Sequence, residues 1–303
     1  MSMAAKGKLT LVRESEASGR TSDIFRELKT ALGMPYVSLL YKAYAAYPRF
    51  LDLHWQAFKP VLETQEFFDL AERLRAEAYT RMHNYFRIPD LCARLTEESF
   101  SPGAQNELTR LVETLHAENA PVLLLAAAAL QAFDKPVGSD RKTHPAQSLP
   151  TFPMPILVEE ERAPAATRKI YEEMKRTLDL PVLNLDYRAL GRWPDFLRDY
   201  WQVLRPMSES PVYRESCQGL RETAVALAGE IPIQVSHTVT QLQDAGMKDE
   251  DVAAVVRITE MFTKSLARLV MNIALAKIGL EGGSSADAVR TQERAAQPPM
   301  RVA

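Results

Sequence analysis

The sequence predicts an all-α protein, two tandem helical repeats packed as an intramolecular pseudo-dimer, and three observations predict it. The 303-residue chain matches itself at an offset of 146 residues. Apolar residues recur at i, i+3, i+4 and i+7 in both copies, as in DIFRELKTAL and TRKIYEEMKRTL. Prolines at 35, 48 and 60 return at 181, 194 and 206, setting short helices between turns.

The duplication is the firmest of the three. LVRESEAS from Leu11 falls on LVEEERAP from Leu157, and YPRFLDLHWQAFKP from Tyr47 falls on WPDFLRDYWQVLRP from Trp193. Residues 11–78 against 157–224 share 23 identities in 68 positions. Chance supplies roughly a fifth of that, and internal similarity is to be sought before other signals. With one more residue of offset the match continues more weakly, 100–125 falling on 247–272. A long period present only twice is not a solenoid; two copies are expected to pack face to face, as a closed dimer does.

The elements follow in order. Repeat one spans 11–133 and a Pro-rich extended connector 134–156. Repeat two spans 157–280, and 281–303 is a small, polar tail expected to be disordered. The longest apolar run, Pro121 to Leu130, is too short to cross a bilayer. The N-terminus shows no signal-peptide core. Net charge is −2, which gives no reason to expect nucleic acid or a membrane as partner. Cys92 and Cys217 form no CxxC pattern, so a reducing, cytoplasmic setting is expected. His54, His83, His116, His144 and His237 have no metal-ligand spacing, and no metal is expected. There is no nucleotide-binding loop and no nucleophile elbow.

The repeat allows each residue to be compared with its sister. Asp186 shares a helix face with Val182, Leu185, Ala189, Leu190 and Trp193, and its sister is Leu40. Burying an unpaired carboxylate costs several kcal/mol, so this residue needs a partner or a site that holds water. Desolvation would also raise its pKa toward that of a useful base. Asn119 lies on the face of Leu108, Leu111, Leu115 and Val122, and its sister is Leu266. Pro121 then removes a backbone bond to Ala117 and is expected to kink the helix. Taken alone, Asp186 reads as a cap or a solvated residue and Asn119 as a cap; the leucines in the sister copy argue otherwise. Packing about a pseudo-twofold axis would unite Asp186 and Asn119 in one pocket and Leu40 with Leu266 in a silent one. Tyr36, one turn before Leu40, is a candidate lining residue. His116, Arg188 and Arg192 read as surface residues, and Trp55 with Trp201 as structural.

The segments LGMPYVSLLYKAYAAYPRFLDLHW, ENAPVLLLAAAALQAFDKPVG and LDYRALGRWP resemble the group I 2-haloacid dehalogenases, including members acting on both D- and L-enantiomers. The resemblance covers roughly Thr21 to Ile278 and implies the same all-helical pseudo-dimer. It implies hydrolysis of a 2-haloalkanoic acid by an aspartate-activated water, without a covalent ester and without a cofactor. Asp186 falls on the family's aspartate and Asn119 on the asparagine that holds the water. Substrate-binding positions fall on Tyr36, Ser38, Leu39 and Leu185. The serine expected before the aspartate is Leu185, so a hydroxyl donor for the substrate carboxylate is missing; Ser38 is a candidate replacement. Two other readings stay open: a non-catalytic helical protein binding a small apolar acid, and a carboxymuconolactone-decarboxylase-like enzyme, whose peroxidase variant requires paired cysteines. A homodimer is also left open.

Overall fold

Twelve α-helices and one 3-10 turn make up the regular structure of the described residues, 9–97, 100–147 and 152–284, in a computed structural model. No strand occurs among them beyond two isolated bridges. The protein is all-α, as expected. Most of the tail expected from residue 281, and residues 148–151 of the connector, lie outside the described residues.

The helices form two compact units. Unit one holds α1 (Gly19–Leu32), α2 (Leu39–Tyr44), α3 (Pro48–Leu62) and the start of α4 (Gln65–Tyr85). It adds α6 (Pro102–Ala132) from Ala120, α10 (Pro211–Ala228) from Arg221, α11 (Val239–Asp244), and α12 (Asp249–Leu280) up to Leu266. Unit two holds α4 from Arg75, α5 (Leu91–Glu97) and α6 as far as Asn119. To these it adds α7 (Ala165–Thr177), α8 (Leu185–Leu190), α9 (Pro194–Ser208), α10 to Leu220 and α12 from Ala267. Each unit therefore draws on both sequence repeats. The segments of one fall on those of the other under the same offset of 146 to 147 residues.

Sister helices obey the same local rules. Pro48 and Pro194 open α3 and α9, where a missing backbone N–H costs nothing. Pro60 and Pro206 do not separate helices as the sequence suggests; they sit inside the last turn of α3 and α9. There the helix is about to end, and few backbone bonds remain to be lost. Gly33 ends α1 at φ 65°, with the Met34 amide reaching back to the Lys29 carbonyl at 3.0 Å. Its sister Asp179 holds the same left-handed turn at φ 53° without glycine's freedom.

Within unit one α1 packs on α3, and within unit two α7 packs on α9. Trp55 is fully buried and donates its indole N–H to Glu27 at 2.8 Å, where Lys59 also binds at 3.0 Å. Trp201 donates to Glu173 at 3.0 Å beside Arg205, repeating the clamp. These hydrogen bonds, the indole's first, hold the Glu27 carboxyl down at about 2. The structural reading of the two tryptophans agrees with this geometry.

Candidate active site

Unit two holds both residues of the candidate pair, Asp186 and Asn119. Asp186 is the second residue of α8, a helix of six residues that follows Asn184 in extended conformation. The periodicity that puts Tyr187, Ala189 and Leu190 in the core also buries Asp186, which is only 4% exposed. Asn119 lies in α6, one turn after Leu115, and is 8% exposed. The two side chains meet: Asn119 Nδ2 donates to Asp186 Oδ1 at 2.7 Å. The second amide hydrogen goes to the Leu115 carbonyl at 2.8 Å. Two acceptors on one side fix which way the amide faces, and Asn119 Oδ1 is left to accept a proton from another donor.

The electrostatics follow from burial. Desolvation pushes the Asp186 carboxyl up from 3.8 to about 6. The Asn119 amide, the residue's own backbone N–H and the Arg188 charge pull the other way and do not prevail. A carboxylate that ionises near neutral pH is suited to take a proton from water. The sister positions are apolar, with Leu40 and Leu266 both buried in unit one at 1% and 6% exposure.

The sequence span that carries this pair also matches known proteins. A family model described as "Halocarboxylic acid dehydrogenase DehI" matches residues 35–187, which include both Asn119 and Asp186. The chain belongs to the DehI family. It is 31% identical to an (R)-2-haloacid dehalogenase of Rhizobium sp. (strain NHG3), over 73% of this chain and 87% of that one. An (R)-2-haloacid dehalogenase of Pseudomonas putida is 26% identical over 86% and 89%. A configuration-inverting 2-haloacid dehalogenase of Alcaligenes xylosoxydans xylosoxydans is 24% identical over 89% and 93%. Among solved structures, a D-2-haloacid dehalogenase in complex with L-LA aligns with a TM-score of 0.85 at 25% identity, over 90% of this chain and 97% of that one.

The other residues singled out in the sequence are placed as follows. Leu185 sits half-buried beside Asp186 in α8, whereas Tyr36, Ser38 and Leu39 belong to unit one. Tyr36 is buried there, and the Ser38 hydroxyl oxygen is buried without a hydrogen-bond partner. Asn119 caps nothing, because α6 runs unbroken from Pro102 to Ala132 through Pro121. His116 is not a surface residue: it is 1% exposed, and its Nδ1 faces Arg75 of α4 at 3.1 Å. Burial, reinforced by the charges of Arg75 and Lys277, pushes it down to about 3. Arg188 is half-buried rather than solvated, and pairs with Glu159 at 2.7 Å. Arg192 is the more exposed of the two, pairs with Glu107 at 2.7 Å and lies over the Trp193 ring.

Cys92 and Cys217 are free thiols. Among the described residues, no group of three or more His, Cys, Asp or Glu is placed to hold a metal, and no helix is long and apolar enough to cross a membrane. A cleft of about 840 Å³ lies against α1 and α3 of unit one, between Arg26, Trp55, Lys59 and Phe68. It holds none of the expected site residues, and the cations along it are already paired: Lys59 with Glu27, Lys29 with Glu14 and Arg26 with Asp23.

A polar cluster beside Asp186 escaped the sequence reading. Asn272 of α12 is fully buried and donates its Nδ2 to the Tyr187 hydroxyl at 2.8 Å. Tyr213 of α10 donates to Asn272 Oδ1 at 2.6 Å, and Tyr200 of α9 to the Asn272 backbone carbonyl at 3.1 Å. The signal that would have found it was available, because Asn272 and Tyr213 have Leu125 and Phe67 as sisters.

Proposed function

We propose that this chain is a 2-haloacid dehalogenase, a hydrolase of carbon–halide bonds, with Asp186 as general base and Asn119 as the group that orients water. The observation that carries the reading is the 2.7 Å contact between a buried amide and a buried carboxylate, in a chain of the DehI family. A water donating one proton to Asp186 and held by Asn119 Oδ1 presents a lone pair to the α-carbon of the acid. As the new C–O bond forms, the carbon–halogen bond breaks and the halide leaves with its electron pair. Asp186 receives the proton, so the products are halide and a 2-hydroxy acid. No redox partner and no covalent ester enter this balance.

Attack opposite the leaving halide inverts the α-carbon. The names of the two relatives at 31% and 26% identity favour (R)-2-haloacids as the preferred hand, giving (S)-2-hydroxy acids. Leu185, where the resemblance implies serine, makes the approach to the base more apolar and suits a halogen better than a carboxylate.

Chloride release from (R)-2-chloropropionate, followed across pH 5 to 9, tests the reading. The base must be ionised to work. The expected profile of kcat/KM therefore has an acid limb with a midpoint at about 6, falling tenfold per pH unit below it. Absence of halide release from either hand of chloro- and bromopropionate would contradict the assignment, as would full activity maintained down to pH 4.

A further inference from the structure

We infer that Asn272 and Tyr213 are positioning residues that hold Asp186 against Asn119 through Tyr187. The inference rests on the reading of Asp186 as the base and adds a second set of residues to it. Tyr187 follows Asp186 directly in α8. A helix of six residues has few backbone bonds of its own, so its place is set by the contacts of its side chains. The Tyr187 hydroxyl is gripped by Asn272 Nδ2, whose other amide atom is gripped by the Tyr213 hydroxyl. The Tyr200 hydroxyl pins the Asn272 backbone. All four residues are at most 2% exposed. Burial of an amide and three phenols is tolerated because these polar atoms are paired.

The sister positions show that the helical scaffold does not need this cluster. In unit one Asn272 is replaced by Leu125 and Tyr213 by Phe67, both buried. Tyr41, the sister of Tyr187, is served instead by His54 of α3, with its Nε2 at 3.4 Å. Unit two has Tyr200 at the His54 position, and Tyr187 is held from α12. The unit that carries the carboxylate thus carries two more departures from its apolar twin. Those two departures bond to each other, and one of them, Asn272, bonds to the neighbour of that carboxylate.

Around Asp186 the charged or titratable groups are Tyr187 and Arg188 of α8 and Tyr200 of α9. Cys217 lies beside Tyr213, and the Arg268 charge of α12 acts on both Tyr187 and Cys217. Burial pushes the phenols upward and the Cys217 thiol to about 12, so none of them titrates near neutrality.

Tyr213→Phe and Asn272→Leu, each the sister residue, test the inference in the full chain. Two readouts are needed: kcat and KM for halide release, and the Asp186 carboxyl titration by carbon-13 NMR, with the signal assigned by its loss in Asp186→Asn. A loosened α8 weakens the Asn119 hydrogen bond that holds the carboxyl down. The midpoint is therefore expected to rise by about half a pH unit or more. For Asn272→Leu, kcat is expected to fall about tenfold, with KM changed by less than about twofold. Tyr213→Phe, which removes one oxygen and keeps the ring, is expected to act in the same direction even if Asn272→Leu fails to fold. Folded variants with unchanged kcat and an unchanged Asp186 midpoint would overturn the inference and leave the cluster a structural brace. Should the unaltered chain release no halide, the functional reading fails, and the NMR titration still decides the positioning role.

Discussion

Asp186→Asn is expected to lose turnover and gain stability at the same time. Removal of a positioned base costs roughly 10²–10⁴-fold in rate. The stability gain follows from linkage. The folded pKa of Asp186 is raised, to about 6 from 3.8, so between these values the folded state binds more protons than the unfolded one. Stability therefore falls as pH rises through this window, and the full penalty stands above pH 6. A shift of this size corresponds to about 3 kcal/mol at the upper limit. Asparagine carries no charge to desolvate, and its carbonyl still accepts from Asn119 Nδ2. Urea unfolding at pH 8 is expected to show the variant more stable by up to about 3 kcal/mol, with the gain shrinking as pH falls toward 3.8. A variant that keeps its activity, or that is destabilised at pH 8, would mean that the carboxylate serves the fold instead of the chemistry.

Acid is expected to unfold the protein steeply, because three histidines are buried uncharged. His54 stacks on Phe58 at 4.4 Å and lies 5.4 Å from the His237 ring; burial and then that neighbour push it well below its ordinary value. Burial pushes His237 down to about 4 against the opposing bond to the Ala129 carbonyl. His116 is pushed down to about 3. Each folded pKa lies below the unfolded value, so the unfolded state binds more protons once pH drops under about 6.5. Stability is then lost at about 1.4 kcal/mol per pH unit for each histidine, or about 4 for the three. Asp186 opposes with one proton's worth between about 6 and 3.8. Urea midpoints measured from pH 7 to pH 4.5 check the slope. His54→Phe keeps the ring packing, removes one titrating group and is expected to flatten the net slope by about half between pH 6 and pH 4.5, where Asp186 already offsets one of the three histidines. A stability that stays level from pH 7 to pH 5 would show that these rings are not held neutral.

The parts of the molecule legible in the sequence are those that one chain segment or one sister comparison determines. Helix type follows from periodicity, and the structural role of Trp55 and Trp201 follows from their matching positions, although their glutamate partners Glu27 and Glu173 appear only in the structure. Asp186 and Asn119 were visible because Leu40 and Leu266 report the burial of each position independently of its chemistry. What was illegible depends on partners from distant segments. His116 reads as a surface residue until Arg75, 41 positions earlier, is placed against it. Arg188 reads as solvated until Glu159 pairs with it across the turn before α7. Asn272 and Tyr213 stand where the sister copy has leucine and phenylalanine, but only the hydrogen bonds from Tyr213 to Asn272 and from Asn272 to Tyr187 tie them to Asp186. The two units could not be read from repeat boundaries, because the division between them falls inside α4, α6, α10 and α12.

The most direct measurement is a single turnover of (R)-2-chloropropionate in ¹⁸O-water with enzyme in excess. Direct attack by the water between Asp186 and Asn119 predicts ¹⁸O in the hydroxyl of the first product molecule and none in the protein. An unlabelled product, with ¹⁸O left in the Asp186 carboxyl by hydrolysis of an ester in that same turnover, would mean that the carboxylate itself attacks the substrate, and would contradict the account.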